Sequence, residues 1–272
     1  MLIDAKTPHD AWVQLNNSFL DLGHLNQIDE FTGSQAVSYH TTVLIRSFSL
    51  EGLDMGQEVG YTKSKWTNLV RGYFNKESYD GFIQRSLHYW NGRKMIPSIG
   101  MIFSGNRTKI RADMGEGTVA AQGGACLLSL SLLRPRNGPI TVLIHSRSSE
   151  VTQRFYADLI FIYVLLRTMG EELGFTPEEV KVEWSMPRTY QTFYQVLPFL
   201  AITGRLYEVL DWEQSQLPWR KKIFKSFTRF EGDAVIKYAV ENRIRNFYRA
   251  VCNGEDLPNV TPDKLNIMEV LK

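Results

Sequence analysis

Cys126-Leu-Leu-Ser-Leu-Ser-Leu-Leu133, Arg134-Pro-Arg-Asn-Gly-Pro139 and Ile140-Thr-Val-Leu-Ile-His-Ser-Arg147-Ser-Ser-Glu150 run consecutively, and their reading decides the fold. Two runs dense in Leu, Ile and Val flank a turn that carries Asn137-Gly138, the pattern of a β-hairpin spanning Cys126–Leu133 and Ile140–His145. The second strand ends in Arg-Ser-Ser-Glu. A long helix over Phe155–Leu173 follows, closed by Gly174. Asp158 is a carboxylate just ahead of its apolar run, Leu159 to Leu166. No other stretch places so much polar chemistry so close to so much core.

Working outward, helical spacing of Trp12, Leu15, Phe19 and Leu22 predicts a helix over 8–23, with Gly23 as its cap. A polar loop over 24–35 and a strand over 36–50 follow, then a turn at Glu51-Gly52. Helices are expected at 66–74 and 78–90, and a strand at 95–103. Residues 112–125 are rich in Gly and Ala, a flexible or closely packed approach to Cys126. Thr176-Pro-Glu-Glu179 signals a helix or turn start. A short strand over 180–184 and an apolar helix over 189–202 come next. From Leu206 the chain reads as amphipathic helix, either a surface element with a core-facing stripe or an arm for an anionic partner. The pattern is α/β in the α+β sense: a mixed sheet packed by helices, in one domain of core 1–205 and helical extension 206–272.

The chain has 272 residues, 43% of them apolar, enough to bury a sizeable core. Its formal net charge of +2 makes nucleic acid an unexpected bulk partner. Two cysteines, Cys126 and Cys252, lack metal-type spacing and suit a reducing compartment. The start, MLIDAKTPHD, does not read as a signal peptide, and no apolar run approaches a membrane span. The expectation is a soluble cytoplasmic protein with no membrane partner and no resident metal.

The central stretch resembles the thymidylate synthase superfamily, which includes the dCMP and CMP hydroxymethylases. In that family a nucleophilic Cys opens a strand, Arg-Ser-x-Asp follows about twenty residues on, and the residue that reads the base lies eleven after the Arg. Here Cys126 is followed by Arg147-Ser148-Ser149-Glu150, and eleven beyond Arg147 is Asp158. Order and spacing carry the match, not any single residue. Asp10–Gly23, Phe48-Ser-Leu-Glu-Gly52 with Thr62-Lys63, and Trp184-Ser-Met-Pro-Arg188-Thr-Tyr190 resemble flanking parts of the family pattern.

The resemblance implies roles at the matched positions. Cys126 attacks pyrimidine C6, making C5 a carbon nucleophile, a step that needs a thiolate and hence a nearby cation. Arg147 and Ser148 hold the 5′-phosphate, with Arg107 of a dimer mate as a second contact. Asp158 stands where thymidylate synthases have Asn. A carboxyl group there suits the N4 amino group of cytosine and, if protonated, N3. Glu150 lies near the nucleotide, Tyr190 on the ribose, and Arg188 replaces the family His. The substrate implied is a pyrimidine nucleoside monophosphate, the donor 5,10-methylenetetrahydrofolate, and the assembly a homodimer. Each residue also has a plain reading: Cys126 a small buried apolar group, Arg147 an exposed strand end, Asp158 a helix-start carboxylate, Tyr190 ordinary packing.

The family's general acid/base Glu aligns with Gly72, and only a shifted alignment brings in Glu58 or Glu77. Residue 125 is Ala where thymidylate synthases have Pro, and no Arg precedes Arg46. The nucleotide half of the pattern is matched and the folate half is not. Two functions follow: a C5 one-carbon transferase acting on dCMP or CMP, or a nucleotide-binding homologue that lacks folate catalysis or uses another donor.

Overall fold

Strand alternation builds the frame. In the computed structural model the residues described are 1–21, 27–28, 35–53, 63–91, 98–103, 126–135, 138–216, 220–221, 223–225 and 262–271. Eight strands among them form one mixed sheet: β1 Leu2–Ala5, β2 Gln27–Ile28, β3 Gln35–Ile45, β4 Ser98–Ile102, β5 Leu127–Leu133, β6 Ile140–Ser146, β7 Ser148–Glu150 and β8 Val180–Thr192. The order is β1-β3-β8-β6-β5-β4, with β2 on β3 and β7 on β8. The hairpin read from the sequence is present: β5 and β6 pair antiparallel from Leu127↔Ser146 to Leu133↔Thr141. β6 then runs parallel to β8, and β8 antiparallel to β3.

One face of this sheet is buried. Ile3 and Ala5, Val43 and Ile45, Leu130 and Leu132, Val142 and Ile144, and Val182, Trp184 and Met186 alternate with more exposed neighbours. Five helices pack on the core: α1 Pro8–Asp21, α2 Lys63–Tyr73, α3 Lys76–Asn91, α4 Arg154–Leu173 and α5 Phe193–Ile202. α4 lies at the centre, and every residue from Phe155 to Leu166 is buried, as expected of a helix apolar on all sides. It touches α1, α2 and α3. Its end is set by glycine: Gly174 has φ +74°, and a Cβ on Gly170 would lie 2.1 Å from the Phe175 carbonyl oxygen.

Two expectations change. The segment read as a short strand and a helix from Thr189 is one strand through Thr192, and α5 starts only at Phe193. Partners distant in sequence supply the reason: β3 pairs with residues 188–192, and β7 pairs with Arg188, Thr189 and Tyr190 on the other side. The ladder skips at His40 and Pro187, where His40 takes φ +56° opposite a residue without an N–H. Cys126 stands just ahead of β5 instead of inside it.

The polar segment 24–35 contains β2 and the first residue of β3, and the rest of it lies outside the described residues, as do Gly23 and 104–125. In the extension, Leu206–Gln214 is a 3-10 helix, Pro262–Lys264 a 3-10 turn and Ile267–Val270 a short helix, α6. Most of the stretch read as a surface helix or an arm, 226–261, lies outside the described residues, and Arg220 is engaged within the fold. Its guanidinium donates to the Leu20 carbonyl at 2.6 Å and to Asp21 at 2.7 Å, closing the end of α1. Arg167 on α4 likewise donates to the Asp263 carbonyl at 2.7 Å and to that of Leu265, tying α6 down.

Candidate functional site

The site is built at the start of α4. A helix begins with free N–H groups that need acceptors. Glu150, the last residue of β7, supplies them: its Oε1 accepts from the Thr152 N–H at 2.9 Å, and its Oε2 from Gln153 and Arg154 N–H at 2.7 and 3.1 Å. The Gln195 amide, oriented to satisfy both groups, donates to the same carboxylate at 2.5 and 2.6 Å. Burial raises the Glu150 pKa, and the three backbone donors oppose that rise. Asn16 holds the turn between β7 and α4. Its amide donates to the Trp12 and Val151 carbonyls at 2.8 and 3.1 Å, and its oxygen accepts from Thr152 Oγ1 at 2.6 Å and Gln191 Nε2 at 2.9 Å.

From this fixed start α4 carries Arg154 and, one turn on, Asp158 on the same helix face. Asp158 is fully buried, and neither carboxyl oxygen has a hydrogen-bond partner. Burial is the main cause of its pKa being pushed up to about 7. Arg154 and the Tyr73 hydroxyl pull the other way without making a full hydrogen bond, and Glu150 adds to the rise. At neutral pH much of this side chain is therefore a neutral acid.

Tyr73 is the last residue of α2, and its ring meets Phe161 of α4 edge-on at 5.7 Å. Burial first, then Asp158 and Cys126, push the Tyr73 hydroxyl far above the ordinary tyrosine range, so it stays a donor. Arg154 is exposed; partial desolvation works against its charge, and Tyr73, Asp158, Cys126 and Tyr190 together favour the charged form.

Cys126 is half-buried and a free thiol. Its carbonyl accepts from the Arg147 N–H at 2.8 Å, which pins the start of β5 to the break between β6 and β7. Ser148, half-buried, pairs with Arg188, and Glu150 with Tyr190. The Arg188 guanidinium lies 4.6 Å over the Tyr190 ring. The Tyr190 hydroxyl is raised by burial, then by Glu150 and Cys126.

The fold thus brings Cys126, Glu150, Asp158, Arg188 and Tyr190 into one cluster, with Arg147 and Ser148 in the adjoining strand break. Glu150 serves the helix start with its oxygens. Gly72 is exposed, with no atom within 4 Å of a Cβ built there, and Glu77 is exposed in the first turn of α3. Arg107 and Glu58 lie outside the described residues. Tyr73 and Arg154 were not foreseen. Arg154 had a readable signal, since it is four residues before Asp158. Tyr73 had none beyond its place on an apolar helix face.

Among the described residues no group of three or more His, Cys, Asp or Glu is placed to hold a metal ion, and no helix is long and apolar enough to cross a membrane. No protein-family model matches the chain, and no curated protein matches it.

Proposed function

We propose that this chain is an enzyme acting at C5 of a cytosine nucleotide, dCMP or CMP, with Cys126 as nucleophile. Asp158 carries the reading. A fully buried carboxyl group with no partner for either oxygen is costly unless it is neutral or meets a ligand. As a neutral acid it offers one donor and one acceptor, matching N3 and the N4 amino group of cytosine. Arg147 and Ser148 supply the phosphate contact, and Arg154 and Arg188 add positive charge. Thiolate addition forms the S–C6 bond, and the displaced C5–C6 π pair makes C5 the atom that takes a one-carbon unit.

The resemblance implies 5,10-methylenetetrahydrofolate as the carbon donor. The described residues do not fit it: Glu150 is engaged by the start of α4, and Gly72 stands where the pattern places an acid. The same engagement of Glu150 favours a second reading, a nucleotide-binding homologue without folate catalysis. A homodimer is the assembly proposed. Exposed Ile102 and Leu128, on the neighbouring strands β4 and β5, offer apolar surface to a second copy, and Leu128→Glu should weaken the dimer in sedimentation velocity.

Tritium release from C5-tritiated dCMP or CMP tests the enzyme reading. The wild type should release tritium and Cys126→Ala should not, while still binding nucleotide. No release by the wild type with any pyrimidine nucleotide, with or without folate, overturns it. Calorimetry should show dCMP or CMP binding tighter than dUMP. A preference for dUMP removes the role given to Asp158, and binding without folate synergy selects the second reading.

A further inference from the structure

Arg188 of β8 stands in the middle of a cross-strand row. Tyr39 of β3 is its direct partner on one side and Ser148 of β7 on the other. Directly paired residues project from the same face of a sheet, so these three side chains stand together on one surface. Thr189, the next residue of β8, projects from the opposite face. Its partners there are Ser38 and Ser149, and all three are buried. The Thr189 hydroxyl lies 2.8 Å from that of Thr41 and donates to the Ser38 carbonyl at 3.3 Å. The backbone under Arg188 is thus held from behind, as a binding position requires.

On the front, Ser148 and Arg188 are half-buried and Tyr39 is 53% exposed, so a ligand can reach the row. Tyr190 follows on the same face, and the Arg188 guanidinium lies 4.6 Å over its ring. Stacking uses the flat face of a guanidinium, whereas its N–H donors lie in the plane and point from its edge. The ring therefore sets the plane of the donors in advance. A fork oriented beforehand loses less freedom when it grips two oxygens. Glu150, paired with Tyr190, directs its own oxygens to the start of α4.

We propose that Arg188, Ser148 and Tyr39 form an anion subsite that holds the phosphate of a phosphate monoester, so that the chain supplies a second phosphate cation itself. This rests on the nucleotide reading and deepens it, since the resemblance takes that second contact from Arg107 of a dimer mate. The donor edge of Arg188 grips two phosphate oxygens, and the Ser148 and Tyr39 hydroxyls donate to the oxygens on either side. A monoester suits the row because its three terminal oxygens are all strong acceptors. The exposed ring of Tyr39 gains a duty here beyond that of solvated apolar surface.

Thermal unfolding of the full chain in inorganic phosphate, against chloride of equal ionic strength, tests the subsite without any base. Wild type should melt higher in phosphate, and Arg188→Gln should lose that gain. Equal gains in the two proteins, or none in wild type, overturn the subsite. Calorimetry with CMP and cytidine then reads it in the nucleotide. Arg188→Gln should weaken CMP binding by about ten-fold or more and leave cytidine binding unchanged, as expected for a lost charge-assisted contact. Tyr39→Phe should weaken CMP binding by about three-fold, as for a neutral hydroxyl. An equal loss for CMP and cytidine in Arg188→Gln marks a merely structural role and overturns the assignment, as does a larger loss in Arg107→Gln than in Arg188→Gln. Wild type that responds to phosphate but binds neither CMP nor cytidine removes the nucleotide reading and leaves the subsite standing. If Arg188→Gln does not fold, the Arg188 Nε–H resonance of wild type is followed instead. It should move when inorganic phosphate is added, and an unmoved resonance overturns the proposal.

Discussion

Asn16 and Asp158 are both fully buried polar side chains, on helices α1 and α4 that pack together in one core. Every hydrogen-bonding capacity of the Asn16 amide is used, with two carbonyls accepting from it and two side chains donating to it. Asp158 has no partner for either oxygen. A saturated polar cluster specifies how elements meet, whereas an unsaturated one stores free energy that a ligand or a proton can release. The first fixes the turn from which α4 starts. The second lies one to two helical turns along the same helix, next to Arg154. Structural and chemical duties are thus divided between neighbouring clusters.

The largest effect expected is at the saturated cluster. Asn16→Ala strands Thr152 Oγ1, Gln191 Nε2 and two carbonyls in the core, and should cost about 3–5 kcal/mol in urea unfolding. A loss below ~1 kcal/mol would erase the distinction between the clusters.

Next is the pH dependence of the unsaturated cluster. The folded pKa of Asp158 is raised to about 7 from an ordinary value of 3.8, so the folded state holds the proton more tightly than the unfolded chain. Its contribution is fully present below the unfolded pKa and is lost as pH rises to about 7. The loss is on the order of 3–4 kcal/mol between pH 4 and 8. Asp158→Asn should abolish that slope and leave the protein at least as stable as wild type at pH 8. A variant with the wild-type slope would mean that another group titrates.

Glu150→Gln keeps the shape of the helix cap but removes its charge and one acceptor oxygen. It should cost about 1–2 kcal/mol by thermal unfolding and loosen the placement of Arg154. The smallest effect belongs to the partly exposed ion pairs of Asp21 with Arg205 and Arg220, at 3.0 and 2.7 Å. Asp21→Asn should shift stability by less than ~1 kcal/mol, and less still in high salt.

The hairpin, α4 and its glycine stop were legible because each is written in consecutive residues: apolar runs, a turn pair, and one residue tolerant of positive φ. The spacing from Cys126 to Asp158 was legible for the same reason. The length of β8 was not, since Thr189 to Thr192 become strand only where β3 and β7 supply backbone partners from over a hundred and about forty residues away. Nor was the duty of Glu150. A carboxylate after Arg-Ser-Ser looks the same whether it faces a ligand or the first N–H groups of the next helix.

By itself the sequence determined which segments are strand and helix in the centre of the chain, and that Cys126, Arg147, Ser148 and Asp158 follow one another at set intervals. Local spacing and side-chain type decide such things before any packing occurs. The tertiary structure alone decided that Tyr73 joins them, and that Asp158 is sealed from water without a hydrogen bond. Neighbours brought in by packing set the dielectric and the charge around a carboxyl group, and so its proton affinity. No run of residues along the chain encodes which neighbours those will be.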